Sequence, residues 1–424
     1  MSGKFNGLPE GMRFYLPAEA RAMNELRDRG KQVLENWNYE PLYIPALLPY
    51  ELIVSGMSQE RARDYYKLID YQGDILVLRP EMTAAIAAMM ARERENLSTP
   101  ARLYYFAPVY RHESTQSGKE REIYQLGAEF FGDSELADFE VLAIAQEIIA
   151  SCGLKNYRLE IGQVDFLQQY LEELGLTPEV RKRVKKSLAE RDLVAFRRIS
   201  SQLTGDKADR LNKLLQLRGG IEILDQAADL VSAEAGETLV SLRNIYQGLK
   251  KGSDNDEIFF DLTLVRNLDY YTGIVFEIMT PDLGYNICGG GRYDNLLGNY
   301  GSESIPAVGF ALGIERLRLA WLNQKEQENF KADKNVLILL AENNYKSQAL
   351  NLITSLHQQG WHTQLEKSNK DKDEPELFES ASNYSWVIQL QEEENNLKYS
   401  LRELSHNNHY TADQLSEVMN IVKQ

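Results

Sequence analysis

The sequence predicts an α+β fold: a sheet core flanked by helices, a helical insertion within that core, and a small α/β domain toward the C-terminus. Three observations carry this. Short strand-like runs alternate with amphipathic helical patterns up to about residue 160. From about 165 to 251 the pattern is almost wholly helical, with breaks at Gly175, Gly205 and the Gly219-Gly220 pair. Beyond a polar stretch, NQKEQENFKADKN, strands and helices alternate again. The expected organisation is a core over 1–322, a linker over 323–334 and a second domain over 335–424.

Taken in order, Pro17 to Trp37 spaces Met23, Leu26, Val33, Leu34 and Trp37 at helical intervals among charged residues, which predicts an amphipathic helix. Tyr39 to Ile53, YEPLYIPALLPYELI, is apolar and punctuated by proline, and predicts an extended segment suited to an edge. Asp74–Leu78, Tyr104–Val109, Ala128–Phe131 and Tyr157–Ile161 read as strands, and Leu136–Ala150 as a helix ending before Gly153. The insertion carries the most basic cluster of the chain, Arg181, Lys182, Arg183, Lys185 and Lys186, with Arg197 and Arg198 beyond. Interspersed leucines and glutamates favour a solvated helix face over a nucleic-acid patch. In the last domain, strands are expected from Val336, His362 and Trp386, and helices over Asn344–Gln358 and from Glu376.

Composition narrows the function classes. A 43% hydrophobic content over 424 residues supplies a substantial core. The two cysteines, Cys152 and Cys288, lie far apart, and four of the five histidines follow residue 350, so neither a disulfide framework nor a metal site is implied. No apolar h-region opens the chain and no run is long enough to span a bilayer, which makes a cytoplasmic, membrane-free protein the expectation. A net charge of −16 repels a polyanion, so nucleic-acid binding is not favoured.

The most informative run is Asp261 to Phe276, DLTLVRNLDYYTGIVF, followed by Cys288 to Leu297, CGGGRYDNLL. It sets Arg266, Tyr270, Tyr271, Tyr293 and a glycine triplet into apolar, strand-like segments. A guanidinium fork pairs with a carboxylate or phosphate, phenols donate or accept, and glycines let a ligand approach the backbone. Taken singly, each such group is as readily a satisfied polar network of the core; together they predict a pocket for a small polar molecule.

The two segments resemble the histidine-recognition motifs of class II histidyl-tRNA synthetases. Leu78–Thr83 (LRPEMT), Tyr110–Gly132 (YRHESTQSGKEREIYQLGAEFFG) and Pro306–Leu317 (PAVGFALGIERL) are similar to further motifs of the same family, in the same order. The resemblance implies a class II antiparallel-sheet core, and a dimer built through the Tyr39–Ile53 segment with Pro45 as its motif proline. By the same likeness the last domain matches an anticodon-binding domain. Glu81 would take the α-ammonium of histidine and Arg266 its carboxylate, while Tyr271 and Tyr293 would bracket the imidazole. Thr83, Gln125, Glu129 and Tyr270 complete the implied histidine pocket, Gln125 and Glu129 lying four apart on one strand and therefore on one face. Arg111, Glu113 and Arg316 match the residues that hold a nucleotide in the synthetase.

Two protein types share this core: the ligase itself and the regulatory subunit of ATP phosphoribosyltransferase, which makes no adenylate. Several residues point to the second. Ser114 stands where the synthetase loop has an arginine, Lys119 with Glu120 beside it where a second arginine would meet phosphates, and Met82 where the motif has glycine. A carboxylate facing a triphosphate is unfavourable, and lysine lacks the bidentate fork. The stretch SNKDKDEPELFESASNYSW offsets its lysines with acids where an RNA-gripping segment would be basic. The resemblance then implies a non-catalytic partner of a short-form catalytic subunit, with free histidine as ligand, feedback inhibition as its role, and no cofactor. An active histidine–tRNA ligase is the alternative, supported by Arg111, Arg266 and Arg316.

Overall fold

The computed structural model describes residues 7–57, 63–112, 120–252, 258–266, 270–281, 283–324, 334–341, 343–368, 384–393 and 396–423. The chain divides into two compact units, residues 1–326 and 327–424. In the first, helix α1 (Pro17–Asn36) buries Met23, Leu26, Val33 and Leu34, the residues its helical spacing selects. Short strands β1 (Glu40–Pro41) and β2 (Leu47–Pro49) follow, and then helix α2 (Tyr50–Gly56). The expected extended segment therefore stops at Pro49. Tyr50–Ile53 turn helical instead, burying Ile53 against Leu48 and Val77.

Next come β3 (Lys67–Ile69), β4 (Ile75–Leu78), α3 (Thr83–Glu93), β5 (Ala101–Tyr110), β6 (Glu122–Phe131), α4 (Ala137–Ser151) and β7 (Arg158–Gln163). The insertion comprises α5 (Val164–Glu173), α6 (Pro178–Ala189), α7 (Leu193–Ser200), α8 (Lys207–Leu214), a two-residue strand β8 (Arg218–Gly219), α9 (Glu222–Ala228) and α10 (Ala233–Gly252). The chain then returns through β9 (Ile258–Asp261), β10 (Ile274–Met279), β11 (Asn286–Arg292), β12 (Ala307–Gly313) and α11 (Ile314–Gln324).

Nine of these strands form one sheet, ordered β1-β5-β6-β12-β11-β10-β7-β9-β8. From β5 to β7 every neighbour is antiparallel, and among the described residues of this sheet the parallel pairs are β1/β5 and β7/β9. The pleat separates two cores. Even-numbered residues of β5 and β6, such as Tyr104, Leu126, Ala128 and Phe130, join a core with α1, α4 and α11. Odd-numbered ones, such as Leu103, Tyr105, Ile123 and Phe131, face a second core closed by Ile86 and Met90 of α3. The functional groups lie on this second face.

Arg266 departs from expectation: β9 ends at Asp261 and β10 begins at Ile274, so the arginine sits between strands rather than within one. The basic residues of α6 form a solvated face in which Arg181 pairs with Glu172 at 2.5 Å and Lys186 with Glu190 at 3.9 Å. Such exposed pairs contribute little.

The second unit contains β13 (Asn335–Leu340), α12 (Lys346–Gln358), β14 (His362–Lys367), β15 (Trp386–Glu393), β16 (Asn396–Glu403), β17 (Asn408–Ala412) and α13 (Leu415–Val422). Its sheet runs β14-β13-β15-β16-β17, with β13 parallel to both neighbours and the rest antiparallel. Val336, Ile338, Ile388, Leu352, Leu356 and Val418 form its core. The expected helix from Glu376, most of the linker and most of the acidic stretch after Ser368 lie outside the described residues. Among the described residues no helix is long and apolar enough to cross a membrane, and no cluster of three or more metal-ligating side chains is present.

Candidate functional site

A cavity of about 510 Å³ opens on the second face of the large sheet. Its floor is made of small residues. The register pairs Glu129 with Gly309 and Gly309 with Gly291, and one step along it pairs Ala311 with Gly127 and with Gly289. These glycines make room for the protein's own side chains rather than for direct ligand access to backbone. A Cβ on Gly289 would run into the guanidinium of Arg266, and one on Gly291 would lie 2.8 Å from the Tyr271 ring. At Gly309 it would overlap the Glu129 carboxylate, and at Gly127 the phenol of Tyr105. Gly290 points to the other face, packed against Phe310 and Phe276.

Two carboxylates border this floor. Glu81 precedes α3 and accepts the backbone N–H groups of Thr83 at 3.0 Å and Ala84 at 2.6 Å, two of the donors a helix start leaves unpaired. The Tyr270 hydroxyl reaches the same carboxylate at 3.4 Å. Glu129 is 1% exposed and accepts hydroxyl hydrogen bonds from Tyr293 and, at 2.9 Å, from Thr83. Burial pushes its carboxyl up to about 8, and the Glu81 charge adds to this while the two hydroxyls oppose it. Burial likewise raises Glu81, partly offset by the amide of Ala84 and the charge of Arg111.

Aromatic rings form the far side. The Tyr270 ring centroid lies 4.9 Å from that of Tyr271 and 5.7 Å from that of Tyr293. The Arg266 guanidinium stands 5.8 Å from the Tyr271 centroid and donates Nη1–H to the Phe276 carbonyl at 3.3 Å. Gln125 lines the same cavity from β6. Thus Glu81, Thr83, Gln125, Arg266, Tyr270, Tyr271 and Tyr293, expected together, line one cavity, while Glu129, 1% exposed, is not among the lining residues and joins the site through its hydrogen bonds with Thr83 and Tyr293.

The expected nucleotide residues are arranged differently. Arg111 and Arg316 both line the cavity, but each spends a donor on protein: Arg111 Nε–H on the Pro80 carbonyl at 2.6 Å, Arg316 Nη1–H on Asn286 O and Oδ1 at 2.9 and 3.0 Å. Glu113, Ser114 and Lys119 lie outside the described residues.

Sequence reasoning missed three groups here. Tyr105 is buried, and its hydroxyl has no partner among the described residues although it stands over Gly127. Its place on the odd face of β5, with Leu103 and Val109, was the available signal. Glu277, a lone carboxylate within apolar IVFEIM, lines the cavity, as do Arg191 and Arg218 of the insertion. The carboxylate in an apolar strand was legible; the fold-back of two insertion arginines onto the core was not.

An antiparallel sheet of this order, with a carboxylate-, arginine- and tyrosine-lined cavity on one face, defines a class II synthetase-type core. The profile of the Histidyl-tRNA synthetase family matches residues 11–317. The chain is 41% identical to the ATP phosphoribosyltransferase regulatory subunit of Halothermothrix orenii, over 86% of this chain and 88% of that one. It is 33% identical to the histidine–tRNA ligase of Methanocaldococcus jannaschii, over 73% of this chain and 74% of that one. A solved structure described as an ATP phosphoribosyltransferase regulatory subunit/histidyl-tRNA synthetase from Bacillus halodurans superposes with a TM-score of 0.78 at 30% identity, covering 91% of this chain and 98% of that one. The chain belongs to the family that joins histidyl-tRNA synthetases with ATP phosphoribosyltransferase regulatory subunits.

Proposed function

We propose that this chain is a non-catalytic regulatory subunit of ATP phosphoribosyltransferase that captures free histidine and transmits its presence to a short-form catalytic subunit. The observation that carries the reading is the pairing of Glu129, Tyr293 and Thr83 in one buried network beside an Arg266 fork that keeps donors in reserve. A histidine seated there gives its carboxylate to Arg266 and an imidazole N–H to Glu129, and its α-ammonium lies toward Glu81. An amino acid without the imidazole forgoes that hydrogen bond and leaves Glu129 with Tyr293 and Thr83 alone, which lowers its affinity relative to histidine. Inhibition then requires histidine to bind one conformation of the assembly more tightly than another. The names of the relatives support the subunit role.

Self-association belongs to the same proposal. Around the β2-β4-β3 sheet Tyr43, Ile69, Tyr71 and Ile75 are 89%, 77%, 94% and 51% exposed. So much apolar surface in one region suits an interface with a second copy.

The test combines calorimetry of histidine binding with reconstitution. Histidine is expected to bind the purified chain, and the chain to co-elute with a short-form phosphoribosyltransferase, raise its activity, and render it histidine-sensitive. Failure of binding and of co-elution would overturn the reading. The second reading, an active histidine–tRNA ligase, is favoured by the presence of Arg111 and Arg316 in the cavity wall and by the ligase relative. Robust histidine-dependent exchange of pyrophosphate into ATP would establish it instead.

A further inference from the structure

Glu277 stands where the insertion and the pocket meet. Its Oε2 lies 3.4 Å from Nη2 of Arg191, in the turn between α6 and α7. Its Oε1 accepts Nδ2–H of Asn286 at 3.0 Å and lies 4.0 Å from Nε of Arg266. One carboxylate, 13% exposed, is thus faced by a guanidinium of the insertion on one side and by the pocket guanidinium on the other. At 4.0 Å it offsets the charge of Arg266 without accepting one of its N–H groups. Asn286 also holds Arg316, so the same residue pair fixes a second cationic group of the wall.

We infer that Glu277 is a positioning residue through which the docked insertion keeps the Arg266 fork open for a ligand carboxylate. With Arg191 in place, Glu277 is held toward the insertion. Without it, the pull of the insertion on Glu277 Oε2 is lost, and the carboxylate can turn from Asn286 onto Arg266, where a close ion pair occupies the fork. The linkage is reciprocal: a ligand carboxylate that satisfies Arg266 leaves Glu277 to Arg191 and tightens the insertion against the core. A separate tie, Arg218 Nε to Asp261 Oδ2 at 3.0 Å, holds the insertion independently of Arg191. Loss of Arg191 therefore weakens the coupling without detaching the insertion.

The inference rests on the proposed capture of histidine, and the experiment separates the two. Calorimetry of histidine with the full chain compares wild type, Arg191→Ala, Arg191→Lys, Glu277→Gln and the Arg191→Ala/Glu277→Gln double variant. Hydrogen exchange of residues 178–200 is followed with and without histidine. Because Arg191 is 65% exposed, Arg191→Ala is expected to weaken binding at the lower end of the allosteric range, about 5- to 20-fold. Arg191→Lys should retain most of the affinity, and Arg191→Ala should have no further effect in the Glu277→Gln background. Histidine should slow exchange over 178–200 in wild type and not in Arg191→Ala.

Arg191→Gly supplies a readout that a merely structural role would not give. Arg191 has φ of +55°, a conformation glycine adopts without strain, so this variant should melt no lower than wild type while losing affinity as the alanine variant does. Undiminished histidine binding by Arg191→Ala overturns this inference alone. So does an equal loss in the Glu277→Gln background, which would mark a direct contact with ligand. Wild type that binds no histidine overturns both this inference and the proposed function.

Discussion

Glutamine at position 129 should change how the stability of the ligand-free protein depends on pH. Burial raises the Glu129 carboxyl from 4.5 to about 8. Between those values the folded chain holds a proton that the unfolded chain has released. Stability is then fully present below the unfolded value and is lost as pH rises through the folded one. One proton amounts to about 1.4 kcal/mol per pH unit, and allowing for partial titration near the folded value the loss from pH 6 to 8 is about 2 kcal/mol. Glu129→Gln has no such proton to lose. The assay is urea unfolding of both proteins without histidine at pH 6, 7 and 8, with the free energies taken from midpoint and slope. Glu81, also raised by burial, titrates in both chains and largely cancels in the difference. A wild-type advantage that stays constant within about 0.5 kcal/mol over this range would refute the buried-proton argument. Saturating histidine should flatten the wild-type slope, because an imidazole N–H favours the ionised carboxylate.

Other substitutions probe the same cavity and the surface beyond it. Gly309→Ala would drive a methyl into Glu129 and to 2.6 Å from the Ala128 carbonyl; overpacking of this kind costs about 1–3 kcal/mol, and histidine binding should disappear in calorimetry. Arg266→Ala should abolish histidine binding yet shift the melting temperature little, since among the described residues the guanidinium makes one 3.3 Å hydrogen bond to the Phe276 carbonyl, a 4.0 Å approach to Glu277 and a 5.8 Å contact with the Tyr271 ring. A large drop in melting temperature would mark Arg266 as a structural strut instead. Ile69→Glu combined with Tyr71→Ser should abolish the proposed self-association, leaving monomers in analytical ultracentrifugation with unchanged circular dichroism.

The pocket was more legible than the way it is closed. Arg266 and the tyrosines announce themselves because polar groups in apolar runs need a reason, the strand period places Gln125 and Glu129 together, and Glu81 was legible only through the resemblance of LRPEMT to a family motif. The helix at Tyr50 was not legible, because YELI satisfies an apolar strand and a short amphipathic helix equally, and packing of Ile53 against Leu48 and Val77 decides between them. The glycine triplet was read as ligand access; only the tertiary register reveals that Arg266 and Tyr271 occupy the space it clears. Arg191 and Arg218 reach the cavity from a helical array distant in sequence, and no local pattern encodes a meeting of that kind.

The small residues at the base of the cavity, Gly289, Gly309 and Ala311, leave recognition to the side chains around them, Gln125 from β6 and Glu81, Thr83, Arg266 and the tyrosines from the surrounding segments. Altering ligand preference by substitution is therefore open only from the walls. A new methyl on the base would strike Arg266 at position 289 or Glu129 at position 309 and displace the recognition groups themselves, whereas changes at Thr83, Tyr105 or Tyr270 reshape what the cavity admits. A redesign toward another amino acid would begin at those three positions and treat the platform beneath them as fixed.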